Sequence, residues 1–185
     1  TNTKEVEITD RLCEAILLTM VKEVPRVIAD PNNYEARANI MWAGMVAHNN
    51  LVGVGRVQDW ASHALEHELS ALYDVAHGAG LAVIVPAWMT YVMKHDVNRF
   101  AQLAVRVWGV NMNFANPEET AMEGINRLKQ FLRSIGMPVS FRELNAKEED
   151  IPHLVEKLGL GENKTLGNFV KLTAKDAEQI YRLAL

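Results

Sequence analysis

The centre of the chain reads His77-Gly-Ala-Gly-Leu-Ala-Val-Ile-Val-Pro-Ala-Trp-Met89. From Gly78 onward this stretch has no charged side chain, and residues 81–89 form the longest apolar run of the protein. A helix that is apolar on all sides belongs in the middle of a core. We therefore predict a central helix that opens at residues 78–80 and that Pro86 kinks.

Outside this stretch, apolar residues recur at helical spacing in nearly every segment, and alternating runs are almost absent. This pattern predicts an all-α protein, a bundle of several helices in one domain. Proline, glycine and capping residues set the expected boundaries, including a stop near Pro25 and a flexible joint at residues 53–55. The other predicted helices cover approximately residues 6–24, 96–108, 118–135, 147–159 and 174–184. A further helix follows the cap at residues 30–33 and runs to about residue 48, and the helix with His63 and His67 begins near residue 58. Residues 139–141 are expected to be briefly extended.

The composition excludes several classes of protein. The net charge is −4 and the basic residues are scattered among acids, so the basic stripe of a nucleic-acid binder is missing. The longest apolar run is far shorter than the roughly 20 residues of a membrane span. A lone cysteine, Cys13, and the lack of a signal-peptide pattern favour a cytoplasmic protein. No glycine-rich phosphate loop is present. The chain opens on Thr1, which predicts a piece of a longer protein.

Three of the six histidines, His63, His67 and His77, lie within fifteen residues. Neutral imidazole is the commonest metal ligand in proteins and can also move protons near neutral pH. On a helix, His63 and His67 are about 6 Å apart on one face, which also carries Ser70 and Asp74. A stripe of Leu65, Leu69 and Leu72 lies on the opposite side. The histidine face alone is typical of solvated histidines. Because His77 follows a predicted helix end, the chain can fold back and bring a third imidazole to the same place.

A rival motif occupies the same residues. His63-Ala-Leu-Glu66-His67 matches H-x-x-E-H, in which two histidines bind zinc and the glutamate is the base of a peptidase. This interpretation leaves His77 without a role, and no third ligand can be singled out. Glu66 has two further interpretations, a carboxylate that orients an imidazole or a solvated side chain.

Other conspicuous residues are expected to have structural roles. Trp60 and Trp88 are expected to pack in the core rather than to line a substrate pocket. Cys13 is expected to behave as a small, buried apolar residue. Four methionines at helical spacing are predicted to fill the core, and three isolated histidines are predicted to lie at the surface or to cap helices. The methionines are Met41, Met45, Met89 and Met93; the histidines are His48, His95 and His153.

Several segments together resemble a known family. They are residues 59–80, the run Tyr34-Glu-Ala-Arg-Ala-Asn-Ile-Met-Trp42, and residues 106–108 and 134–138. These segments resemble the iron-containing (group III) alcohol dehydrogenases, in their NAD(P)-dependent butanol dehydrogenase branch. The resemblance implies the dehydroquinate synthase-like architecture, in which an N-terminal dinucleotide-binding α/β domain precedes a helical metal-binding domain. Residues 1–185 resemble the second domain only.

The resemblance also implies roles for the three histidines. His63 and His77 match the family's two metal-ligand histidines of this domain, which are expected to converge on one point. His67 matches a histidine of the family that lies beside the nicotinamide and the substrate and is implicated in proton transfer. The resemblance therefore implies that His67 is the catalytic residue and contacts the cofactor. Spacing alone pairs His63 with His67, whereas the resemblance pairs His63 with His77. Imidazole ligands suit Fe(II) or Zn(II), and the intact enzyme would use NAD or NADP.

The implied reaction interconverts a primary alcohol such as butanol and its aldehyde by metal-polarised hydride transfer. In the family, an Asp and a His four residues apart complete the metal site just before the segment that matches Thr1, and neither is present here. Since metal sites need three or four ligands, the chain alone is expected to be inactive and to bind metal incompletely. The remaining alternative is a non-catalytic helical module. An exposed face around His63, His67 and Trp60 is expected to drive self-association into a homo-oligomer.

Overall fold

The computed structural model describes residues 6–161 and 164–185, and across them the protein is all-helical. No named strand occurs in these two ranges, and the backbones of Leu166 and Leu172 form an isolated antiparallel bridge. Thr1, where we expected the start of a piece, lies outside the described residues. The helices are α1 (Glu7–Ala29), α2 (Tyr34–His48), α3 (Ala61–Tyr73), α4 (His77–Val92), α5 (Val97–Trp108), α6 (Pro117–Ser134), α7 (Ile151–Lys157) and α8 (Ala174–Leu183).

Helix α4 is the centre of the core, as its composition predicts. Half of its sixteen residues are buried, and it contacts α3, α6 and α8. The helix is uninterrupted through Pro86, and the hydroxyl of Thr90 donates to the Pro86 carbonyl (2.8 Å). The kink at Pro86 stays a prediction. None of the helices in the described part of the chain is both long and apolar enough to cross a bilayer.

Large side chains from the surrounding helices close over α4. Tyr181 on α8 is fully buried, and its hydroxyl donates to the carbonyl of Leu65 on α3 (2.8 Å). The other fully buried large residues around α4 are Leu69, Ile125, Phe141, Ile151, Leu154, Leu172 and Ile180. Burial on this scale, at about 1.5–3 kcal/mol for each large apolar side chain, is the main force that holds the bundle together.

Several predicted boundaries were wrong. Helix α1 continues through Pro25 to Ala29, because packing along α2 offsets the hydrogen bond that the proline lacks. Helix α7 spans only Ile151–Lys157, and a 3₁₀ turn at Glu148–Asp150 precedes it. Residues 139–141 form no strand. Residues 51–53, at the expected joint, form a 3₁₀ turn.

Helices α1 and α2 form an arm that differs from the rest of the bundle. The buried residues of α1 are all polar, and α2 packs on α1 and on the following 3₁₀ turn. Met41 and Met45 on α2 are 74% and 45% exposed, so the prediction that they fill the core was wrong. Met89 and Met93 are buried in the core, as predicted. Position in the bundle, rather than spacing along a helix, decides which methionines are covered.

A buried carboxylate attaches the arm to α5. Asp10 on α1 accepts hydrogen bonds from Arg56 (2.8 Å), from both terminal nitrogens of Arg99 (2.6 and 2.9 Å) and from Gln102 (3.2 Å). Its side chain is 7% exposed. Hydrogen bonding to Arg99 lowers the pKa of Asp10 to about 2, because it favours the ionised form more strongly than burial opposes it.

The lowered pKa of Asp10 predicts an acid-sensitive fold. Since Asp10 binds its proton more weakly when folded, its contribution to stability is present above the unfolded pKa and is lost as pH falls toward 2. We expect a loss of about 2 kcal/mol in the free energy of unfolding between pH 5 and pH 2 from this group. Urea denaturation of Asp10→Asn should show a shallower pH dependence. The control is Asp30→Asn, which removes an exposed carboxylate, and parallel curves for wild type and Asp10→Asn would contradict the assignment.

Candidate metal centre

The turn between α3 and α4 places the three histidines together. Helix α3 carries His63 and His67 and ends at Tyr73, and His77 is the first residue of α4 after a three-residue connection. Asp74 adopts the left-handed conformation (φ 50°), which Asp tolerates better than most residues and which ends α3 sharply. The chain therefore reverses direction, and His77 returns to the histidine face of α3.

The three imidazole rings form one cluster. Ring centroids are 5.3 Å apart for His63 and His77, 5.2 Å for His67 and His77, and 6.5 Å for His63 and His67. Partial burial, with smaller contributions from the His77 and His67 rings, lowers the pKa of His63 below its usual value. A lower pKa favours the neutral imidazole, the form that can bind a metal ion.

Glu66 holds the orientation of His77. Its side chain is fully buried, and its carboxylate accepts from the Ser70 hydroxyl and pairs with Nδ1 of His77. Because a carboxylate only accepts hydrogen bonds, Nδ1 carries the proton, and a neutral His77 then presents the lone pair of Nε2. This is the arrangement in which an outer carboxylate orients a metal-binding histidine. Of the interpretations of Glu66, the structure thus favours the orienting carboxylate.

The buried position of Glu66 also weighs against the peptidase motif. A general base must reach the water that it activates, whereas the Glu66 side chain has no exposed surface and both its oxygens are engaged. Glu66 also lies next to the apolar stripe of α3, since Leu65 and Leu69 are buried with it. The position of Glu66 thus disfavours the peptidase interpretation of H-x-x-E-H.

Two residues of the centre were missed by sequence reasoning. The sequence predicts Ser70 only as part of the polar face of α3, and Gly80 only as part of the opening of α4. A Cβ atom on Gly80 would lie 2.7 Å from Cγ and 2.8 Å from Cδ of Glu66. Gly80 thus provides the space for the buried carboxylate. The signal available in the sequence was the glycine three residues after His77, since this spacing places both residues on one face of a helix.

Distances alone do not choose the ligands. The ligand-type atoms of Glu66, His67 and His77 lie within 4.8 Å of one another, a grouping that omits His63. Glu66 is already engaged with Ser70 and His77, so it supports a ligand better than it serves as one. His77 is nearly equidistant from the rings of His63 and His67.

The beginning of α3 is fixed by Asp59, which explains why α3 starts later than predicted. Asp59 accepts from the backbone N–H of Ala61 (2.8 Å), Asn168 and Phe169 (2.6 Å each). Its neighbour Trp60 stands edge-on to His63, with ring centroids 4.9 Å apart, and is 57% exposed. The prediction that Trp60 packs in the core was therefore wrong, whereas Trp88 packs against the core beside Phe169.

The chain is similar to known proteins along its whole length. The family model described as "Fe-containing alcohol dehydrogenase family, C-terminal" matches residues 1–185. The chain belongs to this family. It is 36% identical over 176 residues to a probable NADH-dependent butanol dehydrogenase of Bacillus subtilis (strain 168), covering 95% of this chain and 45% of that protein. It is 35% identical over 182 residues to an NADPH-dependent aldehyde reductase of Escherichia coli (strain K12), covering 97% and 46%.

Solved structures of the iron-containing alcohol dehydrogenase family show the same fold. The NADH-dependent butanol dehydrogenase A of Thermotoga maritima superposes with a TM-score of 0.92 at 37% identity, over 99% of this chain and 47% of that one. The substrate- and cofactor-free aldehyde reductase of Escherichia coli gives 0.93 at 32% identity, over 100% and 48%. The chain spans about half the length of the curated relatives it matches.

The space around Glu66 can be tested with a matched pair of glycine variants. Gly80→Ala should lower the free energy of unfolding by about 1–3 kcal/mol, because the new methyl group displaces the Glu66 carboxylate. Gly78 lies two residues earlier in α4, with open space where a Cβ atom would be. Gly78→Ala should therefore be neutral or stabilise the fold by about 0.4–1 kcal/mol. Urea denaturation measures both, and NMR of the His77 ring nitrogens reports the bond to Glu66. Equal effects of the two variants would contradict this role of Gly80.

Proposed function

We propose that this domain forms the metal-binding half of an NAD(P)-dependent alcohol dehydrogenase that interconverts a primary alcohol such as butanol and its aldehyde. The observation that carries the proposal is the cluster of three imidazoles with the buried Glu66 behind His77. The names of the relatives, NADH-dependent butanol dehydrogenase and NADPH-dependent aldehyde reductase, support this substrate class. They also leave both NADH and NADPH as possible hydride carriers.

The cluster fits a divalent metal ion. His63 is favoured in its neutral form and His77 offers Nε2 in a fixed orientation, so we assign these two as the ligands of Fe(II) or Zn(II). When bound, such an ion would polarise the substrate oxygen as a Lewis acid while the nicotinamide carries the hydride. Two imidazoles make half of a site that needs three or four ligands. The remaining ligands are expected outside these 185 residues, as the family resemblance implies.

His67 is suited to proton transfer. It lies one helical turn after His63, its side chain is exposed, and its ring is 5.2 Å from that of His77. An exposed imidazole beside the ligands can pass a proton between the alcohol oxygen and solvent. Trp60, edge-on to His63, adds an apolar surface on the same side for the carbon chain of a substrate.

Histidine variants of the intact enzyme separate these roles. His63→Ala and His77→Ala should lower both metal content and activity, because each removes a ligand. His67→Ala should retain its metal while kcat falls by about 10²- to 10⁴-fold, the loss typical of a general acid–base group. Metal analysis of the purified proteins beside their kinetics measures both effects. His153→Ala, on the surface of α7, is the control and should leave both unchanged.

The outcome for His67→Ala decides between the two ligand sets. A metal-free His67→Ala protein would show that His67 is a ligand, as the grouping of Glu66, His67 and His77 suggests. Glu66→Gln should weaken metal binding by about 10- to 100-fold through the orientation of His77. Retention of full activity by His63→Ala and His77→Ala would refute the metal-site proposal.

The 185-residue chain alone is expected to be inactive. It supplies only the two assigned ligands, His63 and His77, of a site that needs three or four. Its sequence also has no phosphate-binding loop for a dinucleotide. Purified chain with butanol, NAD or NADP, and added Fe(II) or Zn(II) should reduce no cofactor above background. The control is a His63→Ala/His77→Ala double variant prepared in the same way. Turnover by the chain above that control would contradict the expectation.

A further inference from the structure

Helix α2 has an apolar face that the other described helices leave uncovered. Tyr34, Met41 and Trp42 are 82%, 74% and 68% exposed, and Met45 on the same helix is 45% exposed. The longer helix α6, by contrast, has no exposed large apolar side chain. The four side chains of α2 line one groove along the helix. A patch of this kind on a folded protein marks a contact surface.

The uncovered face has the spacing of a helix–helix contact. Five of its residues follow one another at intervals of four, three, four and three, which keeps them along one edge of the helix. This alternation is typical of the contact positions in a coiled coil, where two helices pack along their length. On the opposite side of α2, Ala36 and Ala43 are buried where α2 packs on α1. The five residues form what we call the α2 seam: Tyr34, Ala38, Met41, Met45 and His48.

The α2 seam is complementary to a second copy of itself. A two-fold axis pairs residue i with residue j and residue j with residue i. If two α2 helices run antiparallel with the axis at Met41, Tyr34 lies opposite His48 of the other copy, where a phenol and an imidazole can share a hydrogen bond. Ala38 lies opposite Met45, so the small side chain leaves room for the long one. The two Met41 side chains meet on the axis.

The residues beside the seam also fit this arrangement. Trp42 lies on one edge of the seam, and the two-fold axis brings the Trp42 rings of both copies together. Arg37 lies on the other edge, opposite Gly44 of the other copy, where a Cβ atom would meet nothing within 4 Å. The two Arg37 side chains are then about 12 Å apart along the helix axis, beyond the screening length of roughly 8 Å at physiological ionic strength. The seam itself contains no Asp or Glu.

The exposed area is sufficient for a specific pair of chains. An aromatic side chain buries about 150–250 Å² when it is covered, and Tyr34 and Trp42 are mostly exposed. With Met41 and Met45, the contact can bury roughly 500 Å² per protomer, or roughly 1,000 Å² in a pair. Specific interfaces begin at about 1,000 Å². We therefore expect a pair at the weak end of specific association, which dissociates on dilution.

We propose that α2 is a self-association surface, through which two copies of this protein pair in an antiparallel α2–α2 contact about a two-fold axis at Met41. The occupant is a second copy because the seam supplies both members of every pairing. This surface lies on a different helix from the histidine cluster. The pairing therefore does not rest on the proposed metal centre, and it differs from association through the face around His63, His67 and Trp60.

Sedimentation equilibrium of the purified chain tests the pairing. Wild type should show a concentration-dependent equilibrium between monomer and dimer. Met41→Glu places two carboxylates together on the axis and should raise the dissociation constant of the dimer by at least about 100-fold. Trp60→Glu is the control, because it makes the same kind of change at an exposed side chain of the histidine face. It should leave the dissociation constant unchanged.

Circular dichroism checks that both variants keep the helical fold. A wild-type chain that stays monomeric at every concentration would overturn the proposal, because the α2 seam would then have another occupant. A dimer that Trp60→Glu weakens as much as Met41→Glu does would overturn it as well.

Disulfide cross-linking locates the axis. In a Cys13→Ala background, which has no other cysteine, Met41→Cys should give a disulfide-linked dimer when diamide oxidises the two thiols, since the axis brings them together. Phe114→Cys is the control, at a position that is 88% exposed and outside the seam. It should cross-link at least about tenfold more slowly, because no contact holds its thiols together. Equal rates for the two variants would show that α2 is not the contact.

A mixture of two further variants in the same background tests the direction of the helices. Ala38→Cys and Met45→Cys chains in equal amounts should cross-link mainly to each other, because antiparallel helices place these two positions opposite one another. Parallel helices would instead link each variant mainly to itself. That result would overturn the antiparallel arrangement.

Discussion

The burial of α4 is the constraint on which the rest of the structure depends. A helix with apolar side chains in every direction is stable only if other helices cover all its sides. Helices α3, α6 and α8 do so, and Tyr181 links α8 to the backbone of α3 across it. Because α3 must lie along α4, the short connection between them brings the first residue of α4 beside the polar face of α3. The proposed metal centre is a consequence of this packing.

The metal centre combines an exposed and a buried part. His67 and His77 lie at the surface, while the Glu66 carboxylate that orients His77 is within the core. A buried carboxylate is costly unless it is well hydrogen-bonded. Ser70 and His77 supply those bonds, and Gly80 supplies the space. The position of the imidazole therefore depends on the same packing that stabilises the fold, which suits a site that must hold its geometry.

The arm formed by α1 and α2 is attached by different forces. Its junction with α5 uses a buried Asp10 with Arg56 and Arg99 rather than a continuous apolar surface. Polar pairs need specific geometry and fill space less completely than interlocking aliphatic side chains. A cavity at this junction is in keeping with that kind of contact, as is Nε of Arg56, which is buried without a hydrogen-bond partner among the described residues. The exposed Met41 and Trp42 on α2 show that the arm leaves apolar surface uncovered.

The sequence by itself determined the fold class, the central helix, most helix boundaries and the candidate histidines. These follow from periodicity, capping and spacing, which are local properties of the chain. Tertiary structure decided what depends on how helices pack on one another: the burial of Glu66, the exposure of Met41 and Trp60, and the passage of α1 through Pro25. Spacing along one helix does not specify which other helix will cover a side chain, so no pattern within that helix contains the answer. For Glu66, the deciding partners were one helix face and the first turn of the next helix.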